Sequence, residues 1–200
     1  IKEVVLQTEF KDIFIVPATA ALSGAEVELV SQFGREFVLK NRIEPIIGGY
    51  DYIFIDCPPS LGLLTINALV ASDAILVPLQ CEYYALEGLG QLLNTYNLVR
   101  ERLNQNLEIS GVILNLADFR TNLTNQVIEE VKSYFGDKVF KTVVPRSIRV
   151  SEAPSFGKPA IFYDRYNKGS LMYLSIAKEF IERTRQRKSE SAPETEASNV

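Results

Sequence analysis

The run Tyr50-Asp51-Tyr52-Ile53-Phe54-Ile55-Asp56-Cys57-Pro58-Pro59-Ser60 sets an apolar stretch directly before a carboxylate. Such a stretch suits a strand in the core of a sheet, and Asp56 then emerges at the carboxyl edge, where ligands of open α/β sheets sit. An aspartate there can hold Mg²⁺ near nucleotide phosphates. Many parallel strands end in Asp, so specificity comes from the residues after it. Pro58-Pro59 stops strand and helix pairing. Ser60 is expected to be the N-cap of a helix that begins in the apolar run 61–69.

The residues that are missing narrow the chemistry further. The chain has no histidine. Ser-His-Asp and Cys-His catalysis and histidine metal sites are therefore excluded, whereas phosphoryl transfer needs only carboxylates, lysines, hydroxyls and backbone amides. Two cysteines, Cys57 and Cys81, make no disulfide framework and are expected to be buried reduced thiols. No Gly-x-x-x-x-Gly-Lys-[Ser/Thr] loop occurs. Gly157-Lys158-Pro159 lacks both the upstream glycine and the hydroxyl residue. Gly88-Leu89-Gly90 has Leu93 where a dinucleotide fingerprint needs its third glycine, which argues against a Rossmann site.

Apolar runs alternating with amphipathic stretches must position these groups. Strands are predicted over residues 12–16, 52–56, 74–79, 109–115 and 139–145. Helices are predicted over 24–41, 61–71, 85–104, 123–135 and 169–187. The alternation implies right-handed βαβ crossovers and an α/β fold with a mostly parallel sheet flanked by helices. Two hundred residues with a 46% hydrophobic share suit one domain with a sizeable core. No apolar run reaches the length of a membrane span. Residues 188–200 have no apolar face and read as a disordered acidic tail. The chain opens on Ile1 and its only methionine is Met172, so a fragment of a longer product is expected.

Charge is uneven. Residues 1–140 carry net −8, residues 141–187 net +6, and the tail net −2. The basic region could be an electrostatic footprint for nucleic acid, or it could be solvated helix faces.

Residues 50–69, with the runs 77–88 and 145–159, resemble the ParA/Soj-type chromosome- and plasmid-partitioning ATPases over nearly all of residues 1–187. The resemblance implies a P-loop NTPase-like fold without its first strands. The family's deviant Walker A loop and its water-positioning aspartate would lie before the point where this sequence begins. Asp56 matches the Walker B aspartate, which acts on Mg²⁺ through water. Gln80 and Glu82 fall at the carboxyl edge near the nucleotide and dimer interface, or are ordinary loop residues. Asn115 matches the asparagine that contacts adenine, or is a turn residue before Asp118. Pro145 and Arg146 look like the second wall of that pocket. Arg146, Arg149, Lys158, Arg165 and Lys168 would bind DNA phosphates without sequence preference. Their alternative is salt bridging to Asp164, Glu152 or the acidic half. Tyr83 and Tyr84 read as packing residues.

The implied activity is ATP hydrolysis coupled to DNA partitioning. ATP and Mg²⁺ drive homodimerisation and DNA binding, and a ParB-type centromere-binding protein stimulates hydrolysis and release. The expected place of action is the nucleoid in the cytoplasm, away from the membrane. Without the P-loop, residues 1–200 alone are expected to be catalytically inactive and poorly stable. The alternatives are a non-catalytic remnant or interaction protein and, more weakly, a MinD-type septum-positioning ATPase, against which the polar tail argues.

Overall fold

The computed structural model describes residues 1–190. In chain order its elements are strands β1 (Leu6–Gln7) and β2 (Phe14–Ile15), helices α1 (Ala25–Leu29), α2 (Val38–Ile43) and α3 (Leu63–Ala71), strand β3 (Ala74–Gln80), helix α4 (Tyr83–Arg102), strand β4 (Glu108–Asn115), and helices α5 (Asn122–Phe135), α6 (Ile148–Glu152), α7 (Ala160–Tyr163) and α8 (Lys168–Glu190). The chain divides into two compact units. The first comprises Ile1–Ile75 and Gly90–Glu108, and the second comprises Leu76–Leu89 and everything from Ile109 onward.

In the first unit the strand expected over 12–16 shortens to β2. It pairs antiparallel with β1, Leu6 opposite Ile15 and Gln7 opposite Phe14, and both strands are exposed. Residues 52–56 form no ladder, contrary to the core strand expected there. A strand persists by laddering its backbone groups with a neighbour, and this stretch forms no such ladder among the described residues. Tyr52, Ile53 and Phe54 are therefore 39%, 41% and 69% exposed. The long helix expected over 24–41 is broken at Gly34, whose φ of 67° is the left-handed conformation glycine adopts at least cost. Glycine also displaces the expected Ser60 cap. Gly62 is the N-cap of α3 and no side chain caps there. The Ser60 carbonyl instead accepts from Thr65 Oγ1 at 2.6 Å, and the Glu26 carboxylate accepts from the Leu64 N–H at 3.4 Å.

Two asparagines tie α3 down. Asn67 is buried; its Oδ1 accepts from Leu39 N–H at 3.1 Å, and its Nδ2 donates to the Arg35 and Leu63 carbonyls at 2.8 and 2.9 Å. Asn104 Nδ2 donates to the Leu69 and Ser72 carbonyls at 3.0 and 2.8 Å, satisfying the helix's C-terminal acceptors. Tyr96 is buried beside them, and its hydroxyl donates to the Leu107 carbonyl at 3.1 Å.

The second unit holds the parallel sheet that positions the candidate site. β3 and β4 are neighbours, with Cys81 N–H bonded to the Asn115 carbonyl at 3.1 Å. The strand expected over 139–145 lies parallel to β4 but joins it only through the bridges Val112–Val139 and Ala117–Pro145. The reason is a mismatch in length. Phe140 and Val144 donate to Val112 and Leu114, each at 2.9 Å, so four residues on one side span two on the other. The core gathers Ile113, Phe140, Val144 and Ile176, with Leu76, Met172, Tyr173 and Phe180 packed against it. Helix α5 starts where predicted, Thr121 accepting from Thr124 N–H as its N-cap. Helix α8 runs to Glu190, three residues into the expected tail, and residues 191–200 lie outside the described residues.

Candidate functional site

The carboxyl end of β4 brings three of the predicted residues together. Val144 takes the Leu114 carbonyl and returns its own to Ala117 N–H at 3.0 Å. An even parallel ladder would have placed Leu116 at that second bond, so Leu116 is an extra residue, a bulge. Its φ of 52° is rare for a residue with a branched side chain. Past the bulge the ladder resumes at Ala117–Pro145, and Arg146 N–H donates to the Ala117 carbonyl at 3.2 Å. Asn115 and Pro145 are both half-buried along this edge, and Arg146 is exposed beside them.

Local hydrogen bonds fix these groups further. Asn115 Oδ1 accepts from Leu116 N–H at 2.9 Å and from the Tyr173 hydroxyl at 3.3 Å. The Arg146 guanidinium pairs with the Glu82 carboxylate, with both side chains about half exposed. The next turn contains a bidentate pair, Arg120 Nε and Nη2 donating to Asp118 at 2.8 and 2.6 Å. Arg120's hydrogen bonds hold the Asp118 carboxyl down at about 2.

The basic residues divide into two groups. Arg149 donates to Glu152 at 3.2 Å and lies 3.8 Å from Asp164. A hydrogen bond with Tyr163 and the Glu152 charge raise its pKa further. Tyr163 in turn stacks on Phe156, with centroids 4.8 Å apart. Salt bridging to Glu152 and Asp164 is the alternative that the sequence leaves open, and Arg149 adopts it. Lys158, Arg165 and Lys168 are exposed and form no ion pair among the described residues. Gln80 is exposed at the end of β3, and Tyr83 and Tyr84 are 67% and 79% exposed rather than packed inside.

Asp56 belongs to the first unit and is exposed, directly after the apolar stretch 52–55. No cluster of three or more metal-ligating side chains occurs among the described residues. A lone carboxylate suits Mg²⁺ held largely by water and phosphate, and does not make a cage of its own. The adjacent Cys57 is exposed, which corrects the expectation of a buried thiol, while Cys81 is buried as expected. Partial desolvation by neighbouring atoms, with the Asp56 charge second, pushes the Cys57 thiol up although the residue is exposed; burial does the same for Cys81.

Glu82, Leu116 and Tyr173 are the groups that sequence reasoning leaves open or misses. The bulge carries no residue-type signal, since glycine is the usual marker of positive φ. Tyr173 is hidden in the apolar pattern of α8.

Polar groups gathered at the carboxyl end of a parallel strand mark the ligand-binding edge of an open α/β fold. A family described as an AAA domain matches residues 1–109. The sporulation initiation inhibitor protein Soj of Bacillus subtilis is 58% identical over 177 residues, covering 88% of this chain and 70% of that protein. The chromosome partitioning protein ParA of Myxococcus xanthus is 54% identical over 183 residues, covering 92% and 65%. Among solved structures, cobyrinic acid a,c-diamide synthase from Mycobacterium smegmatis with bound ADP and magnesium superposes with a TM-score of 0.76 at 31% identity, covering 92% of this chain and 67% of that one. An ATP complex of Cyanothece McdA gives 0.79 at 22% identity, covering 90% and 70%, a likeness of fold alone. The chain belongs to the ParA/Soj family of partitioning ATPases, with a P-loop NTPase-like α/β fold. It spans roughly two thirds of the length of these curated relatives.

Proposed function

We propose that these residues serve an ATP-dependent DNA-partitioning switch. The observation that carries the reading is the resumed ladder at Ala117–Pro145, which sets Asn115, Pro145 and Arg146 along one sheet edge. There Asn115 contacts the base and Pro145 and Arg146 wall the pocket. Asp56 would hold Mg²⁺ through water, and the ion would neutralise phosphate charge. The phosphate-binding lysines of the family have no counterpart in these 200 residues, so catalysis belongs to the whole natural protein.

Arg146, Arg149, Lys158, Arg165 and Lys168 form the DNA-facing set. Lys158, Arg165 and Lys168 are the more available of the five, since carboxylates already neutralise Arg146 and Arg149. The nucleotide-bound state is a homodimer on nonspecific duplex DNA within the nucleoid, and a ParB-type protein drives its release. The likeness to Soj and ParA proteins supports this cycle.

Filter retention of duplex DNA by the full-length natural protein tests the switch. Retention should require ATP and fall steeply with salt. Equal retention with and without ATP would reject the reading. Replacing Lys158, Arg165 and Lys168 by alanine should flatten the log–log salt dependence by about one for each phosphate no longer gripped.

A further inference from the structure

Two donors converge on one atom of Asn115. Leu116 supplies its backbone N–H at 2.9 Å and Tyr173 its hydroxyl at 3.3 Å. A backbone N–H can only donate, so the atom facing it is the carboxamide oxygen, and the orientation of the amide is settled by its partners. Both partners are themselves held. Leu116 is the bulged residue, kept at φ 52° by ladder bonds on either side, Val144 to Leu114 and Ala117 to Val144. Tyr173 is anchored because its ring packs on the core of Ile113, Phe140, Val144 and Ile176. Bulges of this kind re-aim a side chain at a strand end, and an outlier backbone next to a site invites a functional reading.

We propose that Tyr173 is a positioning residue that makes Asn115 a donor-only contact. With Oδ1 saturated from the protein side, Nδ2 is the group of the amide with hydrogen-bonding capacity to spare. No buried side-chain polar atom lacks a partner among the described residues, so Nδ2 is not walled off. A donor recognises an acceptor. The matching ligand group is a ring nitrogen of a purine, and the exocyclic 6-amino group, itself a donor, is not what Asn115 reads. This rests on the reading of Asn115 as the base contact.

The test is nucleotide affinity of the full-length natural protein for two probes, ATP and purine riboside 5′-triphosphate, which lacks only the 6-amino group. The wild type should bind the two within about twofold, because the interaction ignores that amine. Asn115→Asp removes the donor at constant shape and should weaken both probes by about tenfold. Tyr173→Phe deletes one hydroxyl, leaves the Leu116 N–H holding the amide in place, frees one lone pair of Oδ1 to accept from the 6-amino group, and should create a preference of about threefold for ATP. Asn115→Asp in the Tyr173→Phe background should then cost less than in the wild type. Thermal melting of Tyr173→Phe reports whether the fold has been disturbed; Tyr173→Trp, which restores a donor without the same reach, should not restore wild-type selectivity.

Tenfold discrimination between the probes by the wild type would overturn the proposal, and so would unchanged affinity and selectivity in Tyr173→Phe. Asn115→Ala separates this from the reading beneath it. If that variant binds ATP as the wild type does, or if the wild type binds neither probe, Asn115 is not the base contact and both inferences fall. A large loss in Asn115→Ala with no effect of Tyr173→Phe removes the positioning role alone.

Discussion

Asp118 and Arg120 illustrate how two neighbouring residues reshape one another at a solvent-facing turn. The folded-state value of Asp118, about 2, lies below the usual 3.8. Its contribution to stability is therefore complete above the ordinary carboxylate range and is lost as pH falls through about 2. Carboxyl NMR titration should find Asp118 at that depressed value, and Arg120→Ala should return it toward the ordinary one; an unmoved midpoint would show that the pair is not formed in solution. Solvent screens this pair, so Arg120→Ala should leave the melting temperature almost unchanged. A second pair is more deeply set. Arg183 donates to Glu179 at 2.7 Å and to the Val139 carbonyl at 2.9 Å, and its guanidinium lies 4.5 Å from the Phe140 ring centroid. Both partners are mostly buried, at 22% and 14% exposure. Arg183→Ala leaves the Glu179 carboxylate with the Lys141 N–H, 3.1 Å from both oxygens, and should cost about 1–3 kcal/mol in urea denaturation, with Arg183→Lys recovering only part of it.

At the scale of elements, the crossing of β4 with the 139–145 segment sets the tightest constraint. A Cβ on Gly111 would collide with the Phe140 ring and come within 2.9 Å of the Lys138 carbonyl. Gly111→Ala should therefore destabilise the second unit by about 1–3 kcal/mol, measured by urea denaturation. Helix α5 offers a milder case, since Thr121→Ala removes an N-cap worth about 1 kcal/mol. Legibility did not follow the boundary between the units, since helix α3 of the first unit lies where it was expected and the strand expected over 139–145 is reduced to bridges. Strands β3 and β4 and helices α4, α5 and α8 were readable from period and punctuation, because their apolar faces are buried where the pattern says. The failures concentrate where pairing partners decide. Nothing in Tyr52, Ile53 and Phe54 tells whether a neighbouring strand will be present, and Gly34 and Gly62 outweighed the helical period and the Ser60 cap. Of the candidate site, Asn115 and Pro145-Arg146 could be found from strand ends and family resemblance. Glu152 and Asp164, the carboxylates beside Arg149, were readable as its alternative partners, but Glu82 beside Arg146 could not be assigned in advance, because that pair depends on a fold that brings residues 82 and 146 together.

For the whole molecule, the distribution of apolar surface matters most. Within the first unit Val27, Phe33 and Phe54 are exposed at 77%, 107% and 69%, and both short strands are open as well. Exposed apolar segments and open edges favour association between chains. The 200-residue chain should sediment as a concentration-dependent mixture of species, and polar substitution of Phe33 and Phe54 together should shift it toward monomer. A sharp, reversible, concentration-independent thermal transition would contradict this. The described helices include none long and apolar enough to cross a membrane.

The two units are interleaved along the chain, and this has a consequence during synthesis. The first unit is left after Ile75 and rejoined at Gly90, and Asn104 then supplies the donors for the carbonyls at the end of α3. A ribosome delivers residues in order, at about 5–20 per second. The amino-terminal unit must therefore wait for a later segment, and the opening piece of the other unit emerges before its own partners exist. For several seconds at those rates the nascent chain holds helix α3 with only the local Ser72 donors on its last carbonyls. That interval adds a hazard of its own to the exposed apolar surface of the finished fold.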